Sequence, residues 1–416
     1  MTIIIKFKNL LLNLLTLFVN IFIWRNSKVW LFGAWMGKRF ADNPRFLYQY
    51  LNEHKEQYGI YRLIWVTDNR EIIDEMREFG YEVYLKTSLK GLYWHFRSGV
   101  HIVSNYYAAT FGQPGDILGV FSTGAKKIQL WHGVGLKATG LLRVGYFSDS
   151  SSVTNIIRKN ILYNRYLLGN RMFSPGCWSN RKQLATSEEN KRVAVYDVGL
   201  PSEQVFIGGY PRLFSPSILF KKEELELKRI RDISSGKTVI LYCPTFREKK
   251  QSDSSYINPI ENKSFRDFLW QHGFLWLEKR HAASTYNFSV QEDDFVHFLS
   301  SDFDINLLFD YVDILLTDFS SASSDFIYKR KKVLSFVPDY DEYCNEERGL
   351  LCKYEKYYPG IVTKSMEELK IGLLKTKSSN YFDKDRREKY EECRTFLYGD
   401  HPDNMEWVVD QIIKIL

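Results

Sequence analysis

Several signatures of familiar chemistry are missing from this 416-residue chain. There is no Walker phosphate loop, no kinase signature and no GxGxxG turn, which removes the P-loop nucleotidases, the kinases and the ordinary dinucleotide binders. The five cysteines, at 177, 243, 344, 352 and 393, form no CxxC or zinc-like pairing. An odd, scattered set of that kind belongs to reduced thiols in a cytosolic compartment. No signal-peptide cleavage pattern, internal repeat or low-complexity tract is present. Asp302-Phe303-Asp304 mimics a metal-binding DxD, but it leads into residues 305–309 as a helix start and reads as a cap. No metal and no other cofactor is expected.

What is there is globular: 44% hydrophobic and 26% charged residues, enough for two α/β domains with appendages. A net charge of +7 and 16% aromatics fit an anionic membrane surface, a nucleic acid or a phosphate-bearing substrate equally well. Residues 3–24 are strongly apolar, yet Lys6, Asn9, Asn13, Thr16 and Asn20 recur at spacings of 3, 4, 3 and 4. On a helix these form one polar stripe. The stripe predicts a leader helix, residues 1–27, lying in the membrane interface with its apolar face down; a helix covering the domain core and a bilayer span are the alternatives.

Beyond the leader, strand and helix alternate. Strands are predicted at 29–33, 62–66, 82–85, 101–104 and 128–131, and a helix opens at Asn43-Pro44 and runs to 57. A second alternating unit has strands at 238–242, 275–278, 295–298, 314–316 and 333–337, with a helix near 264–273. The fold expected is α/β, two Rossmann-like domains facing a central cleft. The N-terminal, acceptor-side domain covers 28–204 and carries a basic, aromatic-rich helical insertion at 138–192. A linker follows at 205–236, the nucleotide-donor domain covers 237–400, and a C-terminal helix covers 401–416.

Three strand ends in the second domain carry phosphate-compatible side chains. Residues 313–336 run from an apolar strand into Thr317-Asp318, then Ser320-Ser321 before a helix. Hydroxyls there either cap the helix or, with its N–H groups, receive a phosphate. Residues 241–250 place Thr245 and Arg247 after Pro244, and residues 277–284 place Arg280 and His281 after a strand. An arginine fork suits phosphate oxygens. In the first domain, His132 follows a strand and precedes Gly133-Val134-Gly135. Facing one another, these groups suit transfer of a phosphoryl-linked group from a nucleotide diphosphate donor.

The ordered set Trp131-His132-Gly133 with Leu136-Lys137, Gly209-Tyr210-Pro211-Arg212, Pro244-Thr245-Phe246-Arg247, Lys279-Arg280-His281, Thr317-Asp318-Phe319-Ser320-Ser321, Asp325-Phe326, Tyr340-Asp341-Glu342-Tyr343 and Glu347-Arg348-Gly349 resembles the CDP-glycerol:polyglycerol-phosphate glycerophosphotransferase family. The resemblance spans roughly residues 29–355. It implies a GT-B fold, attachment to the cytoplasmic face of the bacterial membrane and a role in teichoic acid or capsule synthesis. It makes His132 the catalytic base, and His281, Arg247, Ser320 and Ser321 the holders of the donor's pyrophosphate, with Thr245 and Thr317 beside them. Lys137 and Arg212 become contacts for acceptor or phosphate. The implied partners are CDP-glycerol or another CDP-polyol donor, a lipid-linked or polymer acceptor and an anionic membrane surface, with no nucleic acid. Val134-Gly135 and Ala282 depart from the family's usual Thr-Pro and Pro, which leaves polyol and acceptor open. A nucleotide-sugar glycosyltransferase and a non-catalytic export scaffold are the alternatives.

Overall fold

A computed structural model describes residues 2–105, 115–135, 137, 180–198, 200–214, 218–245, 257–279, 290–347, 349–351 and 353–416. The chain forms two compact units. Unit 1 comprises 1–132, 149–218 and 400–416, and unit 2 comprises 133–148 and 219–399.

Unit 1 is built on a seven-stranded sheet of order β3-β2-β1-β4-β5-β6-β7, every pairing parallel. Its strands are β1 Asn26–Gly33, β2 Arg62–Thr67, β3 Val83–Leu85, β4 Ser98–Val103, β5 Lys126–Gln129, β6 Asn180–Ala185 and β7 Val205–Ile207. Strands β1 and β2 read as near-continuous apolar runs because helices cover both faces of a parallel sheet. Their side chains Leu31, Ile64, Trp65 and Val66 are completely buried. The helices are α1 Thr2–Phe22, α2 Asp42–His54, α3 Arg70–Glu78, α4 Leu89–Arg97 and α5 Glu188–Val198. Asn69 and Ser88 cap α3 and α4 by accepting from backbone N–H groups in their first turns.

Unit 2 repeats the scheme with six parallel strands ordered β10-β9-β8-β11-β12-β13. These are β8 Thr238–Cys243, β9 Phe274–Lys279, β10 Val296–Leu299, β11 Ile314–Thr317, β12 Lys332–Phe336 and β13 Ile361–Thr363. Its helices include α6 Lys221–Ser234, α7 Lys263–Gln271, α8 Ala322–Tyr328, α9 Met366–Lys377 and α10 Lys384–Tyr398, and the closing helix α11 Met405–Lys414 belongs to unit 1. In both units the strand order reverses direction beside the first strand, at β1/β4 and β8/β11. That is the switch point where doubly wound sheets bind ligands.

The structure differs from the sequence reading in two places. Residues 205–236 are not a linker, since they hold β7 and α6. Residues 180–192 are not part of an insertion, since β6 is a core strand and α5 follows it; the remainder of the expected helical insertion lies outside the described residues. The sequence reading left open which face α1 turns to the protein. Its polar stripe points inward: Asn9, Asn13 and Thr16 are buried. Asn13 accepts from the Thr123 hydroxyl at 2.8 Å, and the Asn20 amide donates to Thr123 O at 3.2 Å. Arg25 completes the anchor by donating to the carbonyls of His95, Ser98, Phe121 and Thr123. Phe7, Leu11, Leu14, Phe18, Ile21, Phe22 and Trp24 are left exposed.

Candidate active site

At the switch point of unit 1, a single buried carboxylate organises the loops. Asp116 Oδ1 accepts from Met36 N at 2.7 Å, and Oδ2 accepts from Ser104 N, Ser104 Oγ and Asn105 N at 2.7–2.9 Å. Burial pushes its pKa up to about 6, against the opposing pull of these donors. Gly33 at the end of β1 is required here, because a Cβ would lie 2.3 Å from Asp116 O. The strand-end loops of unit 1 adopt costly backbone. Trp35, Met36, Asp42 and Trp131 have φ of 46, 60, 63 and 62°, a left-handed region that L-residues avoid. His132 follows Trp131 directly. Its half-buried ring lies 4.5 Å from that of Trp131 and 6.3 Å, edge-on, from that of Trp35.

Arg212 stands in the same unit and is buried. It donates to Asp42 Oδ1 at 2.5 Å, with its guanidinium 4.6 Å from the centre of the Tyr210 ring. This is the residue expected to contact acceptor or phosphate, and its side chain is 2% exposed. Sequence reasoning missed Asp42 and Asn43, whose only signal was their place at the start of α2.

Unit 2 arranges its switch point around Asp318. Its Oδ1 accepts from Thr245 N at 2.9 Å, from Thr245 Oγ1 at 2.6 Å and from Phe319 N at 2.6 Å. Thr317 is fully buried and donates to Cys243 O at 2.6 Å, so its hydroxyl ties β11 to β8. The Tyr354 hydroxyl donates to Asp318 O, fixing the far side of the turn. Burial pushes the Cys243 thiol up to about 12, which makes it an inert filler.

The turn opens at Ser320 and Ser321, both half-buried. Ser320 Oγ accepts from Ala322 N at 3.3 Å, a long capping bond. Ser321 precedes α8 directly but makes no capping bond with its side chain. Gly133 lies against it so closely that a Cβ there would sit 2.4 Å from Ser321 Oγ. Ser324 Oγ donates to Val134 O, which holds the same glycine-rich segment. Lys137 pairs with Leu350 in an antiparallel bridge. Arg247, Arg280 and His281 lie outside the described residues. Asp304 caps the turn at Ile305–Leu308, as its place in the DxD-like stretch predicted. Among the described residues, no group of three or more His, Cys, Asp or Glu side chains could hold a metal ion.

The turn of unit 2 thus brings together the Asp318 carboxylate, the Ser320 and Ser321 hydroxyls and the closely packed Gly133. The family model of CDP-Glycerol:Poly(glycerophosphate) glycerophosphotransferase matches residues 15–414. The chain belongs to this family. It is 26% identical to a teichoic acid poly(glycerol phosphate) polymerase of Bacillus spizizenii, over 99% of both chains. It is 26% identical to a teichoic acid glycerol-phosphate transferase of Staphylococcus aureus, over 90% of this chain and 88% of the other. The solved structure of the wall teichoic acid polymerase TagF shares its fold, with a TM-score of 0.64 and 19% identity over 94% of this chain and 89% of that one. A histidine-to-asparagine variant of TagF was solved after a soak with CDPG. The protein is therefore a transferase of the teichoic acid glycerophosphotransferase family, on two parallel α/β sheets of GT-B type.

Proposed function

We propose that this protein moves glycerol phosphate from CDP-glycerol to an acceptor hydroxyl of a growing teichoic-acid-like or capsular polymer, releasing CMP. The observation that carries the reading is Ser321, a hydroxyl at a helix start that is not spent on capping and against which Gly133 is packed. Ordinary capping would consume it; a phosphate oxygen would take it together with the N–H groups beside it. Gly133 is the chain neighbour of His132. In the reaction, the acceptor oxygen bonds to the β-phosphorus, the bond from that phosphorus to the bridging oxygen breaks, and CMP carries the electron pair away. His132 takes the hydroxyl proton, a task suited to an imidazole near neutral pH. Ser320, Ser321 and the cations Arg247 and His281 take up charge on the pyrophosphate oxygens. Thr245 orients the turn through Asp318, and Lys137 serves the acceptor side.

The same reading places the protein on the cytoplasmic face of the membrane. No helix among the described residues is long and apolar enough to cross a bilayer. Instead, α1 is bonded to unit 1 by its polar stripe and shows a row of Leu, Phe and Ile ending in exposed Trp24. An apolar helix face with an aromatic end and no acidic residue suits the headgroup boundary of an anionic bilayer. The test offers CDP-glycerol, CDP-ribitol and UDP-sugars with a glycerol-phosphate-primed acceptor and identifies the nucleotide released. CMP is expected. A nucleoside diphosphate would make the protein a glycosyltransferase, and no turnover of any donor would favour the scaffold.

A further inference from the structure

Four left-handed non-glycine residues gather in the strand-end loops of unit 1, and one of them, Trp131, immediately precedes His132. Such backbone persists only where its surroundings over-determine it, and it concentrates where geometry matters for function. The determinant here is explicit. The Asn43 side chain, fully buried, donates through Nδ2 to Trp131 O at 3.0 Å. That carbonyl belongs to the peptide whose nitrogen is that of His132, so its direction sets where the imidazole leaves the chain.

Asn43 is in turn held on two sides. Its Oδ1 accepts from Arg212 N at 3.4 Å, and its own N–H donates to Asp42 Oδ1 at 2.7 Å. Asp42 is itself left-handed and pairs with Arg212 Nη1 at 2.5 Å, with both side chains 4% exposed or less. Breaking one partner of a buried pair leaves an uncompensated charge, so the arrangement is stiff. Arg212 lies about 170 residues from Asp42 in sequence, and the bond joins the start of α2 to the Tyr210-Pro211-Arg212 turn.

We infer that Asp42, Asn43 and Arg212 form a positioning lock that fixes the Trp131 peptide and thereby aims His132. The inference rests on the reading of His132 as the base. None of the three need touch substrate; they act through the direction of one carbonyl. A displacement of about 1 Å in a reacting group costs on the order of a hundredfold in rate.

Asn43→Asp tests this, because it keeps shape and replaces the donor to Trp131 O with a second acceptor. With saturating CDP-glycerol and primed acceptor, kcat should fall roughly a hundredfold while the donor KM stays within about twofold, a split that simple loss of fold does not give. In a His132→Ala background the same change should cost almost nothing further, since the base it aims is gone. An equal loss in both backgrounds would overturn the lock and leave His132 as base. Full activity of His132→Ala alone would remove the base reading instead. Should Asn43→Asp fail to fold, Arg212→Lys keeps the charge but loses the planar fork. It should lower kcat less, with the same KM split, and wild-type kcat in a folded Arg212→Lys would overturn the lock.

Discussion

The two units set one acidic side chain at equivalent strand ends and use it to opposite effect. Asp116 in unit 1 and Asp318 in unit 2 each accept several hydrogen bonds at the switch point of a sheet with the same strand order. In the strand-end loops of unit 1 the backbone is strained: four of the described non-glycine residues there are left-handed. Among the described residues around Asp318 none is; Arg330, left-handed in unit 2, lies beyond the far end of α8. There the turn is lined with small hydroxyls and a closely packed glycine. Strain fixes a side chain in one pose, whereas small relaxed turns leave backbone and hydroxyls facing a ligand. On the proposed reading, one end aims a group and the other receives one.

The sharpest way to break this comparison is His132→Ala. Loss of a positioned base should lower kcat by about 10²–10⁴-fold with donor affinity little changed and the melting temperature near wild type. A variant that melts early and turns over normally would make the strained end structural. The receiving end predicts the complementary kinetics. Ser320→Ala with Ser321→Ala should raise the donor KM roughly tenfold, one lost hydrogen bond to a charged group, and leave the fold intact. An unchanged KM would move the phosphate site away from α8.

A smaller effect sharpens the contrast in the sheets themselves. Where β12 carries Val333 inside, β5 carries Lys127, buried beside Arg181. Burial, with Arg181 adding to it, holds the Lys127 ammonium down to about 7. Unfolded, the same amine keeps its proton to about pH 10. Between about pH 7 and 10 the unfolded chain binds more protons, so this group makes stability rise with pH across that window. Denaturant midpoints at pH 6.5, 8 and 9.5 should show the rise, and Lys127→Met should flatten it. The smallest change expected is in localisation: Phe18→Ser with Phe22→Ser should weaken flotation with anionic vesicles several-fold while sparing turnover of a soluble acceptor. Deleting residues 1–24 is the poorer probe, because α1 covers Leu118, Val120 and Phe121.

Much of this was legible in the sequence, for physical reasons. Parallel strands buried on both faces must be apolar throughout, so β1, β2, β8, β9, β11 and β12 announced themselves. Strand β6, NRKQLA, did not, because a polar sheet face hides the period of a strand. Helix α6, KKEELELKRIRDIS, read as a solvated linker since it is buried mainly through Glu223, Leu227 and Ile230. The stripe on α1 gave a face but not its direction: spacing alone cannot say whether polar groups meet water or backbone carbonyls. His132, Ser320 and Ser321 stood out as candidates from their places after strands. The Asp42–Arg212 lock was not, since nothing local links residues about 170 apart.

The closing helix has a consequence for synthesis. Met405–Lys414 packs into unit 1, burying Val408, Val409 and Ile412, although all of unit 2 has been made before it. A Cβ on Gly209 would lie 3.0 Å from Val408, so the helix seals the part of unit 1 that carries Arg212. As the chain leaves the ribosome, unit 2 can finish folding while unit 1 still waits for its last segment. Unit 1 is thus the last to mature, and a transcript cut short near codon 400 yields a finished unit 2 beside an unfinished unit 1.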